Sequence, residues 1–493
     1  MRIPLLLELA AEAVPDRIAI DGSEGALSYA ALQARAQAFA ASLAGSPAAH
    51  IGYLGVNAPA LPVALFGAAL AGLPFCPLNY RLPDETLRRL AARLAPALIV
   101  ADEAMADRLA GIHGIEILPR DALWRLTETP ADGFVPVEGS DIAVLLFTSG
   151  TSGEPKAALL RHENLTSYVF QTVEFLGADE DEAALVSVPP YHVAAVSALL
   201  TSVYNGRRIV QLESFQPEAW VDSARRFAVT HAMLVPTMLG RVLDVLETAQ
   251  ATLPSLRALA YGGGRMPLPV IRRALDLLPG VAFTNAYGLT ETSSTLSILG
   301  PEDHDAARSG EEESLRRLGS VGRPVPGVAV EIRDPDGRVL AAGEPGEIWV
   351  RGEQVSGEYV GRKATDDAGW FPTRDLGWFD EAGYLFIDGR LDDVIVRGGE
   401  NISPGEIEDV LRQHPAVADV AVIGAPDQEW GERIVAFAVA QGTIPAEAEL
   451  QDWVRTRLRS TKAPQQIFFR DMLPYNETGK LLRRTLRDEL AAG

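Results

Sequence analysis

Cysteine is nearly missing from this chain. Cys76 is the only one in 493 residues, so no intrachain disulfide can form, and a reducing compartment, the cytoplasm, is the expected location. Positive charge is also scarce: 44 Lys and Arg face 66 Asp and Glu, a formal charge of −22. That balance excludes a sequence-independent grip on nucleic-acid phosphates or anionic lipid, and a polyphosphate ligand would have to be held by local donors. Long apolar runs are lacking too. Leu61–Phe75 is broken by Pro62 and Pro74 and falls short of the ~20 residues that span a bilayer, so a buried helix is expected there. At Met1–Ala13 the run Leu5–Leu7 meets Glu8 and Glu12 at once, which predicts an amphipathic helix rather than a signal peptide. Repeats and low-complexity tracts are absent.

What is present is a folded composition, 47% hydrophobic and 22% charged, long enough for two to four compact units. To about residue 300, Ala/Leu-rich helical patterns alternate with short apolar runs such as Ile18–Ile20, Ile51–Leu54, Leu98–Ala101, Ala143–Phe147 and Leu185–Val188. This predicts an α/β fold in layers. From about Val321 to Arg390 turn-rich, strand-like pieces such as Val328–Arg333 and Gly346–Val350 predict a small β-rich subdomain. After Arg390 the pattern is α+β, with helices over Glu406–Arg412 and Glu447–Arg459 and strands over Val417–Ile423 and Ile434–Ala440. The expected division is therefore 1–390 as a large N-terminal core and 391–493 as a small C-terminal domain.

Thr148-Ser-Gly-Thr-Ser-Gly-Glu-Pro-Lys156 follows the apolar run Ile142–Phe147. Hydroxyls and glycines alternate there, so N–H and O–H groups of Thr148, Ser149, Gly150, Thr151, Ser152 and Gly153 can converge on phosphate oxygens while Lys156 adds a point charge. A plain Gly-rich surface turn is the bland alternative. A Walker A loop requires Gly-Lys before Ser/Thr and then a helix, whereas Lys156 leads into the apolar run Ala157–Leu160, which disfavours that class.

Further segments follow in order: Pro189-Pro-Tyr-His-Val193, Gly262-Gly-Gly264, Ala286-Tyr-Gly-Leu-Thr-Glu-Thr292, Thr373-Arg-Asp-Leu-Gly-Trp378, Gly389-Arg-Leu-Asp-Asp393 and Pro474-Tyr-Asn-Glu-Thr-Gly-Lys480. Their joint order and spacing resemble the adenylate-forming superfamily of acyl-CoA synthetases, peptide-synthetase adenylation domains and luciferases, over nearly the whole chain. The resemblance implies a large α/β core under a small mobile domain, with ATP, Mg²⁺ and coenzyme A as cofactors. It assigns adenine stacking to Tyr287 within the nucleotide segment Asn285, Ala286 and Gly288, and gives Gly263 and Gly264 the adenine side. Thr290 and Glu291 take the α-phosphate and Mg²⁺, Asp375 the ribose hydroxyls, and Arg390 the ribose and phosphate.

By the same resemblance Asp392 is the hinge and Lys480 the catalytic lysine bridging the substrate carboxylate and α-phosphate. The family often has Arg where Tyr475 stands, so a secondary contact is expected to differ. Gly398, Gly399, Glu400, Asn401 and Trp430 match the lining of a pantetheine tunnel, used after the small domain has turned to a second pose. His192, in the catalytic set, is read as a gate of the acyl site that can help position the carboxylate; a core or surface histidine is the bland alternative.

The acyl pocket expected from His192, Ala194, Ala195, Gly262, Ser294 and Thr295 is apolar and roomy, which suits a medium-chain, alicyclic or otherwise bulky acid. Amino-acid-activating relatives place Asp just after the aromatic residue; here the run is Val193-Ala-Ala-Val196, and an unpaired ammonium there would be costly. The expected reaction joins a carboxylic acid to coenzyme A through an acyl-adenylate. Open alternatives are transfer to a carrier protein acting in trans, a luciferase-like oxidase and a non-catalytic nucleotide binder. The exact acid and the oligomeric state, a homodimer included, are not legible.

Overall fold

A computed structural model of the chain describes residues 1–22, 25–131, 133–148, 155–398, 400–475 and 481–492. Ser149, Gly150, Thr151, Ser152 and Gly153 of the phosphate loop, Gly399 and Lys480 lie outside the described residues; Asn401 is described in its backbone alone.

Among the described residues the strands form four sheets. The short apolar runs of the first 300 residues supply two large ones, because a run of four or five β-prone residues buried on both faces is stable only inside helical layers. The eight-stranded sheet has at its centre Ile142–Thr148, beside Phe75–Pro77, His50–Leu54 and Ala97–Ala101, all parallel. The nine-stranded sheet contains the parallel succession Arg208–Gln211, Ala183–Val186, His231–Leu234, Ala258–Gly262 and Ala282–Leu289, then turns antiparallel at Ser294–Leu299. Helix Ala60–Leu70, the expected buried helix, is buried at every residue; Phe75 belongs instead to the next strand, because Pro74 ends helical geometry. Full burial of each Leu or Phe there contributes about 1.5–3 kcal/mol. The first helix runs Pro4–Ala13 and buries Leu6, Leu7, Ala10 and Ala11.

The β-rich stretch forms a four-stranded antiparallel sheet of Ala329–Arg333, Gly346–Arg351, Phe371–Phe379 and Leu385–Arg390. Part of it departs: the hairpin Glu358–Tyr359 and Arg362–Lys363 joins the eight-stranded sheet, with Tyr359 opposite Ala158. The small C-terminal unit pairs Val417–Asp427 with Gly431–Ala440, adds Gln466–Arg470 in parallel, and packs helices Pro404–Arg412 and Glu447–Arg455 around its own apolar cluster.

Candidate active site

The two ends of the phosphate loop, Thr148 and Lys156, lie on paired strands. Strand Ile142–Thr148 pairs antiparallel with Lys156–Arg161, and Thr148 stands opposite Lys156. A strand, not a helix, therefore follows the lysine, which excludes Walker A geometry. Lys156 is half-buried, with its ammonium 6.0 Å from the centre of the Tyr359 ring.

Tyr359, which the motifs did not single out, also reaches the nucleotide segment. Its hydroxyl donates to Glu291 Oε1 at 2.5 Å. Burial, and after it the Glu291 charge, pushes the Tyr359 phenol above its ordinary range, so it remains a donor. The segment just before Tyr359 clamps the one-turn helix Thr290–Thr292 as well. Ser356 and Gly357 N–H groups donate to the Glu291 carbonyl at 2.9 and 3.3 Å, and the fully buried Gln354 Nε2 donates to the Thr292 and Thr295 carbonyls at 3.0 and 2.7 Å. Sequence offered a faint signal for this clamp: polar Gln354 and Tyr359 in a Gly-rich stretch from 352 to 361.

A second tyrosine–carboxylate pair lies at Asp375. This buried side chain accepts from the Tyr287 hydroxyl at 2.5 Å and pairs with Arg390 Nε at 3.0 Å. Asp375 and Arg390 face each other across adjacent strands, so sheet register alone brings them together. Arg390 also donates to the Thr373 carbonyl at 2.9 Å. Burial and the Asp375 charge raise the Tyr287 phenol well above its usual value. For Arg390 burial works against the charge, but Asp375 and its neighbours outweigh it and the guanidinium is held charged.

Tyr287 lies in Ala282–Leu289, whose hairpin with Ser294–Leu299 is very close: a Cβ on Gly288 would stand 1.7 Å from the Ser294 carbonyl. Gly262 meets the same strand from its other side, 2.2 Å from a Cβ to the Ala286 carbonyl. Gly263 has φ +78° and Gly264 follows it. Asn285 is engaged elsewhere, its amide donating to the Ser320 carbonyl at 3.1 Å, a structural tie the motif did not suggest.

His192 heads helix Val193–Asn205, its ring 4.7 Å from Tyr191, which lies 5.5 Å from Tyr80. One turn on, Ser197 Oγ is within 3.2 Å of both the Ala194 carbonyl and Ser294 Oγ. Thus Ala194, buried Ala195, Ser294 and Thr295 come together on one helix and one strand. A cavity of about 290 Å³, lined by Tyr80, Ser187, Pro189 and Met238 of the core and by Tyr475 of the C-terminal unit, includes none of these residues in its walls. Tyr475, five residues before Lys480, also donates to Asp419 at 2.7 Å.

Gly398 and Trp430 are in contact. The Gly398 N–H donates to the Trp430 carbonyl at 2.8 Å, a Cβ on Gly398 would lie 2.8 Å from the indole, and Trp430 is 47% exposed. Glu400 lies 3.6 Å from the Arg459 guanidinium. Asp392 accepts from Arg374 at 2.8 Å.

The donor set suits a nucleotide carrying its own metal. Among the described residues no group of three or more His, Cys, Asp or Glu could hold an ion. Mg²⁺ is commonly held by one or two carboxylates and substrate phosphates, so a single carboxylate such as Glu291 fits that pattern; Tyr359 links it to Lys156, by its hydroxyl to the first and with its ring 6.0 Å from the ammonium of the second. Among the described residues no helix is long and apolar enough to cross a membrane.

Comparison with known proteins agrees. Residues 7–360 match the AMP-binding enzyme family and 406–480 its C-terminal domain. Feruloyl-CoA synthase of an Amycolatopsis species is 34% identical over 96% of both chains. The o-succinylbenzoate CoA synthetase of Bacillus subtilis, solved with its acyl-adenylate intermediate, superimposes with a TM-score of 0.84 at 30% identity over 98% of both chains. ATP-bound MatB of Rhodopseudomonas palustris gives 0.88 at 28% identity over 99% of both. Matched along both its core and its C-terminal unit, the chain belongs to the AMP-binding enzyme family of adenylate-forming ligases.

Proposed function

We propose that this ligase joins a bulky, aromatic or alicyclic carboxylic acid to coenzyme A in two half-reactions at one site. A carboxylate oxygen attacks the α-phosphorus of ATP, the bond to the β-phosphate oxygen breaks, and pyrophosphate leaves with the acyl-adenylate remaining. The coenzyme A sulfur, having lost its proton, then attacks the acyl carbon, and the bond to AMP breaks. The observation that carries the reading is the pair of tyrosine–carboxylate contacts, Tyr287–Asp375 and Tyr359–Glu291, on either side of the nucleotide segment.

In this reading Asp375 takes the ribose hydroxyls and exchanges its Tyr287 contact for them, while Arg390 stays paired with the carboxylate. Glu291 is the protein donor to Mg²⁺, which supplies neutralisation of phosphate charge. Thr290 and the loop from Thr148 to Lys156 hold the phosphates. Lys480, five residues beyond Tyr475 in the sequence, stabilises the charge that builds in the first step. Residues 1–390 act as the adenylation core and 391–493 as the mobile domain, turning at Asp392 so that Gly398–Asn401 and Trp430 guide the thiol. His192 gates an acyl pocket whose walls, Ala194, Ala195 and Gly262, are small. Feruloyl and succinylbenzoyl relatives support a bulky acid. The single, buried thiol of Cys76 suits the cytoplasm.

The test is pyrophosphate release with Mg-ATP over a panel of acids, with and without coenzyme A, with products identified by mass. Acid-dependent release with a coenzyme A thioester is expected. An adenylate that ignores coenzyme A would transfer the role of acceptor to a carrier-protein thiol, and no release with any acid would overturn the reading.

A further inference from the structure

The last helix, Arg483–Ala492, begins three residues after Lys480, and its first turn carries charge of the unfavourable sign. Arg483 and Arg484 open it, Arg487 follows one turn on, and the first turn has no acidic residue, although a helix N-terminus favours carboxylates. The carboxylates are supplied from elsewhere in the C-terminal unit. Arg483 donates to Glu408 Oε1 at 2.6 Å and to the Val422 carbonyl at 3.3 Å, and lies 3.8 Å from Asp393 Oδ2. Arg487 donates to Asp393 Oδ1 at 2.9 Å and to the Asp392 carbonyl at 3.4 Å. Glu408 is buried and Asp393 half-buried, so solvent screens these pairs less than exposed ion pairs at the surface.

One carboxylate, Asp393, thus holds two arginines of the last helix, and it directly follows Asp392. The loop before the helix is closed at its base. Tyr475 and Leu481 form an antiparallel bridge, the Leu482 N–H donates to the Pro474 carbonyl at 2.8 Å, and Lys480 directly precedes Leu481 in the sequence. Leu486, fully buried, packs with Leu473 and Ile423 and seats the helix on strand Val417–Asp427. Apolar contact of that kind is non-directional and sets how deep the helix lies, whereas guanidinium–carboxylate pairs are directional and set its rotation and its position along the axis.

We propose that Asp393 is a positioning residue for the acid-activating step: through Arg483 and Arg487 it fixes the first turn of the last helix, and with it the Leu481 end of the loop that carries Lys480. This role deepens the reaction proposed above and rests on it, because Lys480 acts there in the first half-reaction and not in the second. Asp393, Glu408, Arg483 and Arg487 all lie in the C-terminal unit, so the set turns with that unit and its loss falls on the step that uses Lys480. Asp393 also favours the charge of Arg390, a second route to the nucleotide that the experiment separates.

Full-length Asp393→Ala, Asp393→Glu and Arg487→Ala proteins are compared in two measurements with the most active acid of the panel above, ferulate included: ATP–pyrophosphate exchange, and single-turnover transfer from the preformed acyl-adenylate to coenzyme A. Asp393→Ala is expected to lower the exchange rate about tenfold, with half-saturation by ATP and transfer both within about twofold of the unmodified protein, and Asp393→Glu to recover most of the loss. Arg487→Ala, which leaves Arg483 paired with Glu408, is expected to lower exchange alone by about three- to fivefold, and it decides the matter where Asp393→Ala does not fold. Unchanged exchange, an equal fall in both measurements, or a loss in Asp393→Ala that Arg487→Ala does not share overturns the assignment, the last transferring the effect to Arg390. Failure of the acid-activating reading is distinct: the unmodified protein then shows no exchange with any acid, and the role of Asp393 falls with it.

Discussion

The Tyr359 hydroxyl is the residue-scale feature with the most direct consequence, because it fixes the one carboxylate assigned to the metal at 2.5 Å. A hydrogen bond to a charged group contributes about 1.5–3 kcal/mol, roughly ten- to hundredfold in rate if it is needed in the transition state. Tyr359→Phe keeps the ring beside Lys156 and removes only that contact. ATP–pyrophosphate exchange is expected to fall by about tenfold, with half-saturation by Mg²⁺ moved to higher concentration and the melting temperature little changed. An unaltered Mg²⁺ dependence would reduce Tyr359 to packing. Sequence reading reached Glu291, Asp375 and Arg390 because each sits in an ordered motif, but it passed over Tyr359 and Gln354. Their role depends on a hairpin crossing from one sheet to another, which no local pattern encodes. Composition held an unused clue: the chain has only four lysines, at 156, 363, 462 and 480, and two of them end the phosphate loop and the C-terminal motif.

Among the elements, the hairpin of Ala282–Leu289 with Ser294–Leu299 carries Tyr287, Glu291 and Ser294 at once, and its geometry depends on Gly288. Ser293 and Ser294 between the strands take φ of 58° and 122°, unusual for non-glycine residues, so the turn is already strained. Gly288→Ala puts a methyl into the Ser294 carbonyl, and the strands must separate. Overpacking against backbone is expected to cost about 1–3 kcal/mol, read as a lower urea midpoint, together with loss of nucleotide binding. Gly280→Ala, with nothing within 4 Å of its Cβ, is the control expected to change neither. Strands buried on both faces were legible as apolar runs, as at Ala97–Ala101 and in the stretch 420–425 of Val417–Asp427, because burial leaves its mark on every residue there. Two-residue strands such as Glu358–Tyr359 carry no periodicity, and the helix expected to reach Arg459 stops at Arg455.

For the whole molecule, the question is which half-reaction this arrangement serves. Tyr475 lines a cavity with Tyr80 and Pro189, so the C-terminal unit meets the core there, while Trp430 is 47% exposed. Under the two-step reaction proposed above, this contact belongs to the acid-activating pose. Among the described residues its contacts include Arg265 paired with Asp409, Ser403 donating to the Asp388 carbonyl at 2.6 Å, and Arg374 paired with Asp392 at 2.8 Å. The two ion pairs are largely exposed, and such pairs contribute about 0.2–1 kcal/mol each. Removing one should therefore shift the balance of poses only a few-fold, without unfolding either unit. Arg265→Ala is expected to lower ATP–pyrophosphate exchange by two- to fivefold, while transfer from preformed acyl-adenylate to coenzyme A, measured in a single turnover, stays level or rises. An equal fall in both steps would mean that the Arg265–Asp409 contact serves both poses, and control of the turn would then lie with Arg374 and Asp392.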